Sequence, residues 1–353
     1  MNDLEKELHY PLGDALPARG ASLEVAPGVK WVRMALPFVL NHINLWLLRD
    51  RIDGQEGWTV VDCCIHQDEA KLQWEQIFSQ ELEGLPILRV VVTHMHPDHI
   101  GLAHWLCERW EAPLWISATD YQVARFGCMG PTAFGGDKAA AFFALHGLNS
   151  ADMVEGVRAR SSYFPRLVPS VPDHYHRLLD GQVLRIGAHD WRCISGYGHA
   201  PEHMALYSPG LGLLLGGDMM LPRISTNVSV YESEPEADAL RLFLDSIDKF
   251  LPLPQDTLVL PSHGKPFRGL HTRIAQLHHH HQERLAEVME ACTARACSAA
   301  DVIPVLFKRE LDLHQTTFAM GEAVAHLHAL WHRGALQRDK GKDGVLRFRA
   351  VTA

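Results

Sequence analysis

Residues 90–101 read Val-Val-Val-Thr-His-Met-His-Pro-Asp-His-Ile-Gly, and no other stretch constrains the chain as strongly. Three β-branched residues in a row specify a buried strand. Directly after them come His94, His96, Asp98 and His99. Imidazole nitrogens and carboxylate oxygens are the ligands that a borderline cation such as Zn²⁺ takes, at roughly 2.0–2.2 Å. In extended backbone, side chains two apart point the same way, so His94 and His96 can grip one ion. Pro97 cannot donate to a ladder and turns the chain, which sends Asp98 and His99 elsewhere, to a second ion. A lone histidine at a strand end is usually a satisfied structural residue. Three histidines and an aspartate within residues 94–99 are not explained that way.

The packet has the form HxHxDH and resembles the first motif of the metallo-β-lactamase superfamily of metal-dependent hydrolases. Gly196-Tyr197-Gly198-His199-Ala200-Pro201-Glu202-His203 resembles the second motif and nominates His199. Gly216-Gly217-Asp218 resembles the third, and Pro261-Ser262-His263-Gly264 the last, nominating Asp218 and His263. The resemblance covers about residues 25–275. It implies a four-layer αββα sandwich with two divalent ions, most simply Zn²⁺, with Fe²⁺ and Mn²⁺ as alternatives. By the same resemblance His94, His96 and His199 hold one ion, Asp98, His99 and His263 the other, and Asp218 bridges them. Each nominated residue also follows an apolar run that reads as a strand: 87–92, 191–194, 211–215 and 257–260. Ligands carried on turns at the ends of several strands are how an α/β sheet builds a site along one edge.

A chain of 353 residues suffices for a catalytic domain with an appendage. The formal net charge of −9 argues against a nucleic-acid or anionic-membrane partner. The seven cysteines are scattered and odd in number, which fits a reducing cytoplasm. Cys63 and Cys64 read as buried strand thiols. The acidic start has no apolar core of a signal peptide, and no apolar run approaches a membrane span.

In chain order, residues 29–36, 44–48 and 58–61 read as strands, with Asp53-Gly54 as a hairpin turn. Where the resembled family carries an Asp-Thr-Gly-like turn, this chain reads Asp62-Cys63-Cys64; Asp62 is either an orienting partner for a ligand or a simple strand-end carboxylate. Residues 69–82 and 100–110 have helical spacing. Residues 117–180, with helical patches at 137–145 and 151–160, read as an insertion forming a lid. Strands return at 183–186, 191–194 and 204–207, and 235–250 is an amphipathic helix. His278-His279-His280-His281 reads as a solvated face of a long helix beginning after Gly269. Two helices at 299–307 and 318–331 and a hairpin around Lys342-Asp343-Gly344 resemble a small winged-helix-like tail, which divides the chain into residues 1–275 and 276–353. From 301 to 353 there are eight Lys/Arg against six Asp/Glu, a weak excess that favours packing or homo-oligomerisation over nucleic-acid binding.

Two cations about 3.5–4 Å apart can bring the pKa of a shared water toward roughly 7 and make a bridging hydroxide the nucleophile. Asp98 is then placed to orient that hydroxide or carry its proton. Two divalent ions less two carboxylates and one hydroxide leave about one positive charge, suited to an anionic small-molecule substrate. The leading expectation is a glyoxalase II-like thioester or ester hydrolase, although the chain lacks the basic cluster with which glyoxalase II holds glutathione. A lactonase and an endoribonuclease are the alternatives. Arg223, Lys265 and Arg268 lie near the motifs and are candidates to meet a carboxylate or phosphate.

Overall fold

The computed structural model describes residues 3–130 and 135–351. It comprises two compact units, one of Met1–Met129, Pro165–Thr226 and Ser246–Ile274, the other of Gly130–Phe164, Asn227–Asp245 and Ala275–Ala353. Residues 130–164 of the expected insertion thus group with the C-terminal helices, whereas 117–129 and 165–180 belong to the first unit.

The first unit is a sandwich of two sheets. Strands β1 (Ser22–Ala26), β2 (Val29–Ala35), β3 (His42–Ile52), β4 (Gln55–Val61), β5 (Ile87–Val91), β6 (Leu114–Ser117) and β7 (His176–Leu178) form a seven-stranded sheet in sequence order. Its first four strands are antiparallel and the rest join in parallel. Strands β8 (Val183–Ile186), β9 (His189–Gly196), β10 (His203–Ser208), β11 (Leu213–Gly217) and β12 (Leu258–Pro261) form a five-stranded sheet in the order β12-β11-β10-β9-β8. Trp31, Trp46, Leu48, Val61 and Val91 of one sheet pack against Trp191, Cys193, Leu206, Leu215 and Leu260 of the other. The alternation of inward and outward residues, period two, decides which side chains enter this core.

Strand β3 clasps the sheets at both ends. Asn44 donates from Nδ2 to the carbonyls of Pro261 (2.8 Å) and Gly264 (2.9 Å). Six residues on, buried Asp50 accepts from Thr59 Oγ1 (2.5 Å), from Arg89 Nε (2.9 Å) and Nη2 (2.7 Å), and from the Gly187 amide (2.8 Å) in the β8–β9 turn. Gly187 has φ 55°, and a Cβ there would lie 2.4 Å from the Arg49 carbonyl oxygen, so only glycine closes this turn.

Some elements differ from the expected ones. Strands β1, β6 and β7 had no clear signal. β1 is a half-exposed edge without clean alternation, and β7 is three residues long with His176 and Arg177 exposed. The helix expected over 100–110 is broken into Pro97–Ile100 and Ala103–Trp110. Gly101 lies at the break, where a Cβ would stand 2.6 Å from the Ile65 Cα.

The second unit holds helices Gly136–Leu145, Ala151–Ala159, Ala299–Leu306 and Leu313–His332, most of helix Leu270–Ala294, and the antiparallel hairpin of β13 (Leu336–Lys340) and β14 (Leu346–Ala350). Capping boxes at Ser298/Asp301 and Asp312/Gln315 start two of these helices. The four-histidine run is not wholly solvated: His281 is buried, with its Nδ1 3.3 Å from His326 Nε2. On Leu313–His332, Glu322 accepts from Asn227 Nδ2 (3.0 Å), and burial pushes its carboxyl up to about 7. A folded-state value above the unfolded one of 4.5 means its stabilising contribution is complete below that pH and is lost as pH rises through about 7. Glu322→Gln is therefore expected to gain about 3 kcal/mol over the parent at pH 8 and almost nothing at pH 4.5. Urea unfolding at the two pH values checks this; parallel pH profiles would contradict it. Among the described residues no helix is long and apolar enough to cross a membrane.

Candidate metal centre

Strands β5, β9, β11 and β12 end at one edge of the sandwich, and the turns after them carry the nominated residues. The Met204 amide donates to the Thr93 carbonyl (2.8 Å) and joins the two sheets there. His94, His99, His199, Asp218 and His263 are buried, and His96 and Asp98 half-buried.

Partners behind three of the histidines fix which ring nitrogen faces inward. Asp62 accepts from the Thr93 amide (2.8 Å) and Thr93 Oγ1 (2.9 Å), and its Oδ2 lies 2.8 Å from His99 Nδ1. Thr93 Oγ1, spent as a donor on Asp62, faces His94 Nδ1 at 3.0 Å as an acceptor. His263 Nδ1 donates to the His42 carbonyl at 2.6 Å. Each ring therefore carries its proton on Nδ1 and turns a bare Nε2 toward the centre, the tautomer a metal requires. Asp62 is thus the orienting partner of His99 and not merely a strand-end carboxylate. It adopts φ 63°, and Cys64 φ 71°, so the Asp62-Cys63-Cys64 turn is left-handed at both ends without a glycine. The two cysteines sit in this turn, not in a strand, and both are buried.

The inward atoms form two sets. His94 Nε2, His96 Nδ1 and His199 Nε2 are separated by 2.9, 3.1 and 3.2 Å, and Asp218 Oδ2 is 3.2 Å from His199 Nε2. Asp98 Oδ2 lies 3.8 Å from His99 Nε2 and 3.4 Å from His263 Nε2. Asp218 turns its other oxygen, Oδ1, to His99 and His263 Nε2 at 3.5 Å each. One aspartate thus offers one oxygen to each set.

The residues fit a pair of cations. Ligands about 2.05 Å from a tetrahedral ion stand about 3.3 Å apart, close to these separations. His99 Nε2, His263 Nε2 and Asp218 Oδ1 are buried without a hydrogen-bond partner among the described residues. Each such orphan costs about 1–3 kcal/mol unless something satisfies it. Three that converge are satisfied together by one positive ion. Burial, followed by the neighbouring imidazoles, holds His94 well below the usual histidine range and His96 at about 3, so both are neutral ligands at physiological pH. At the second set burial works against positive charge, but Asp62, Asp98 and Asp218 outweigh it and raise His99. Despite burial, His99 and His263 hold the Asp98 carboxyl down at about 2. The field at this point favours a cation.

Two supporting residues stand behind the ligands. His203, which closes the second motif, is buried and takes the Asp218 amide on Nε2 (3.2 Å). Gly217, at φ 54°, leaves room for that ring, since a Cβ would come within 2.1 Å of His203 Nε2. Asp120 was not foreseen. It is buried, and it accepts from the amides of Met95 (2.7 Å) and Glu202 (2.6 Å), pinning the first and second motif loops to each other. Burial raises its carboxyl to about 6, and its two amide donors work against the rise. The Ser117-x-x-Asp120 start of helix Ala118–Cys128 was the legible signal, with Ser117 capping the Asp120 amide. Of the three cations nominated for an anionic substrate, Lys265 is taken by Asp14 (2.8 Å), Arg268 by the Asp256 carbonyl, and Arg223 lies 3.9 Å from Glu5.

Residues 40–263 match the family model described as Metallo-beta-lactamase superfamily. The chain belongs to the metallo-β-lactamase superfamily. Residues 285–351 match a second model, Metallo-beta-lactamase-like, C-terminal domain. The crystal structure of a beta-lactamase domain protein from Burkholderia ambifaria is 53% identical, superposes with a TM-score of 0.94, and matches over 99% of this chain and 100% of that one. A probable metallo-hydrolase of Bacillus subtilis is 24% identical over 85% of this chain and 91% of its own length. A hydroxyacylglutathione hydrolase of Rhodobacter capsulatus is 28% identical over 45% of this chain and 62% of its own. The mixed α/β sandwich is that of a superfamily hydrolase.

Asp62→Ala removes the carboxylate behind His99, and losing such a partner typically weakens metal affinity 10–100-fold. Competition against a chromophoric chelator should register a loss of that size; affinity within twofold of the parent would contradict the role given to Asp62.

Proposed function

We propose that this chain is a dinuclear metal-dependent hydrolase of esters or thioesters, with Zn²⁺ as the ion at both positions. The observation that carries the reading is Asp218, whose two oxygens face two separate histidine sets. His94, His96 and His199 would hold one ion and Asp98, His99 and His263 the other, with Asp218 shared. Bound there, the ions supply Lewis acidity and bring water toward neutral pKa. The chain's own residues do the rest. Asp62 and Thr93 hold His94 and His99 in the ligating tautomer, and the His42 carbonyl does so for His263. Asp98, ionised and half-buried, is the acceptor that orients the attacking water's proton. The likeness to the Rhodobacter enzyme, whose name states a glutathione thioester substrate class, supports thioesters, although Lys265 and Arg268 are both engaged and not free to hold glutathione.

The test is metal analysis of protein purified without chelator, combined with assays on acyl thioesters of glutathione and coenzyme A and on simple aryl esters. The reading expects about two ions per chain and metal-dependent turnover of at least one class. Metal-loaded protein that hydrolyses none of them would remove it.

A further inference from the structure

Strand β2 carries a feature that the site described so far does not use. Its inward row runs Val29, Trp31, Arg33, and pairs in register with Leu48, Trp46 and Asn44 of β3. Inward is settled by the neighbours. Val29, Trp31, Trp46 and Leu48 belong to the core between the sheets, and Asn44 reaches across to Pro261 and Gly264 beside His263. The next inward residue of β3 is His42. Its Nε2 accepts the Gly264 amide (2.8 Å), its carbonyl takes His263 Nδ1, and its ring stands 5.9 Å from the His263 ring. Arg33 is therefore the one charged member of a row that leads from the apolar core to the metal edge.

Arg33 is half-buried and has no hydrogen bond or ion pair among the described residues. Burial lowers its guanidinium from the usual arginine range, with no acidic neighbour to offset the effect. It pairs in register with Asn44, two residues along β3 from His42. An arginine in an inward row is ordinarily paired, as Arg89 is with Asp50 at 2.7 Å at the other end of the same sheet. An arginine left without a counter-charge beside a hydrolytic centre is a seat for one that arrives with the ligand.

We infer that Arg33 binds a carboxylate of the substrate, so that the preferred substrate is an ester or thioester whose acyl part ends in a carboxylate. This rests on the hydrolase reading above for its reaction, but not for its binding. A single guanidinium presents a planar fork and one charge, which matches a carboxylate.

Two measurements on the metal-loaded protein test this. The first is kcat/KM for phenyl hemisuccinate relative to phenyl butyrate, an acyl pair differing in a terminal carboxylate. Arg33→Gln should lower that ratio 10–100-fold, with Arg33→Lys recovering part of it. The second is calorimetric binding of succinate and butyrate. The parent should prefer succinate about tenfold or more, and Arg33→Gln should abolish the preference. A succinate preference that disappears with Arg33 while neither ester is turned over would sink the hydrolase reading and leave this one standing. No succinate preference in the parent, or a ratio that survives Arg33→Gln, would overturn the assignment.

Discussion

Asp218→Ala is expected to lower kcat/KM by about 10³-fold or more, equivalent to about 4 kcal/mol of lost transition-state stabilisation. The reason is geometric. Asp218 faces both ligand sets, Oδ2 at 3.2 Å from His199 and Oδ1 at 3.5 Å from His99 and His263. Among the described residues no other side chain at the site does this, so its removal would uncouple two ions instead of weakening the hold on one. The buried imidazoles at His99 and His263 then lose a carboxylate that favours positive charge beside them. Metal content should fall below two per chain in the same protein. The fold should persist, because the Asp218 backbone amide remains bonded to His203 and the strand β11 that precedes it is untouched. Turnover within tenfold of the parent would rule out a shared aspartate.

Asp50→Ala should act on stability and not on chemistry. Breaking a buried ion pair by removing one partner costs about 3–5 kcal/mol, because the remaining charge is left uncompensated. Here the stranded group is Arg89, only 5% exposed, whose Nη2 would keep only the Arg185 carbonyl (2.7 Å). The Gly187 amide and Thr59 hydroxyl lose their acceptor as well. Asp50 stands eight residues along β3 from His42, about 26 Å at a strand's rise, so folded protein should keep its metal affinity. An unfolding free energy from urea titration lowered by less than about 1 kcal/mol would contradict this clasp. Replacing Asp50 and Arg89 together with apolar residues should recover part of the loss, since no charge is then left behind.

The ligand set was legible because each ligand follows a strand whose last residues are buried on both faces and stands on a turn with glycine or proline. Short-range spacing alone placed His94, His96, Asp98 and His99, and the brief helix Pro97–Ile100 then delivered Asp98 and His99 to the second set. What sequence did not reveal depends on tertiary placement. Asp62 could be an orienting residue or a strand-end carboxylate until its φ of 63° aimed it at His99. Asp120 looks like a helix-start residue, and only the fold puts Met95 and Glu202 above it. Arg33 lies in an ordinary strand, and its meaning comes from the absence of a partner among the described residues. The short strand β7 and the grouping of residues 130–164 with the C-terminal helices involve segments far apart in the chain, which local periodicity does not register.

The central claim is that seven side chains from four turns enclose two cations. The most direct measurement is anomalous diffraction from crystals of protein purified without chelator, recorded at the zinc, iron and manganese edges. The account predicts two peaks, one among His94, His96 and His199 and one among Asp98, His99 and His263, with Asp218 between them. An interpretable map with no peak at any of the three edges, or peaks only elsewhere, would contradict it.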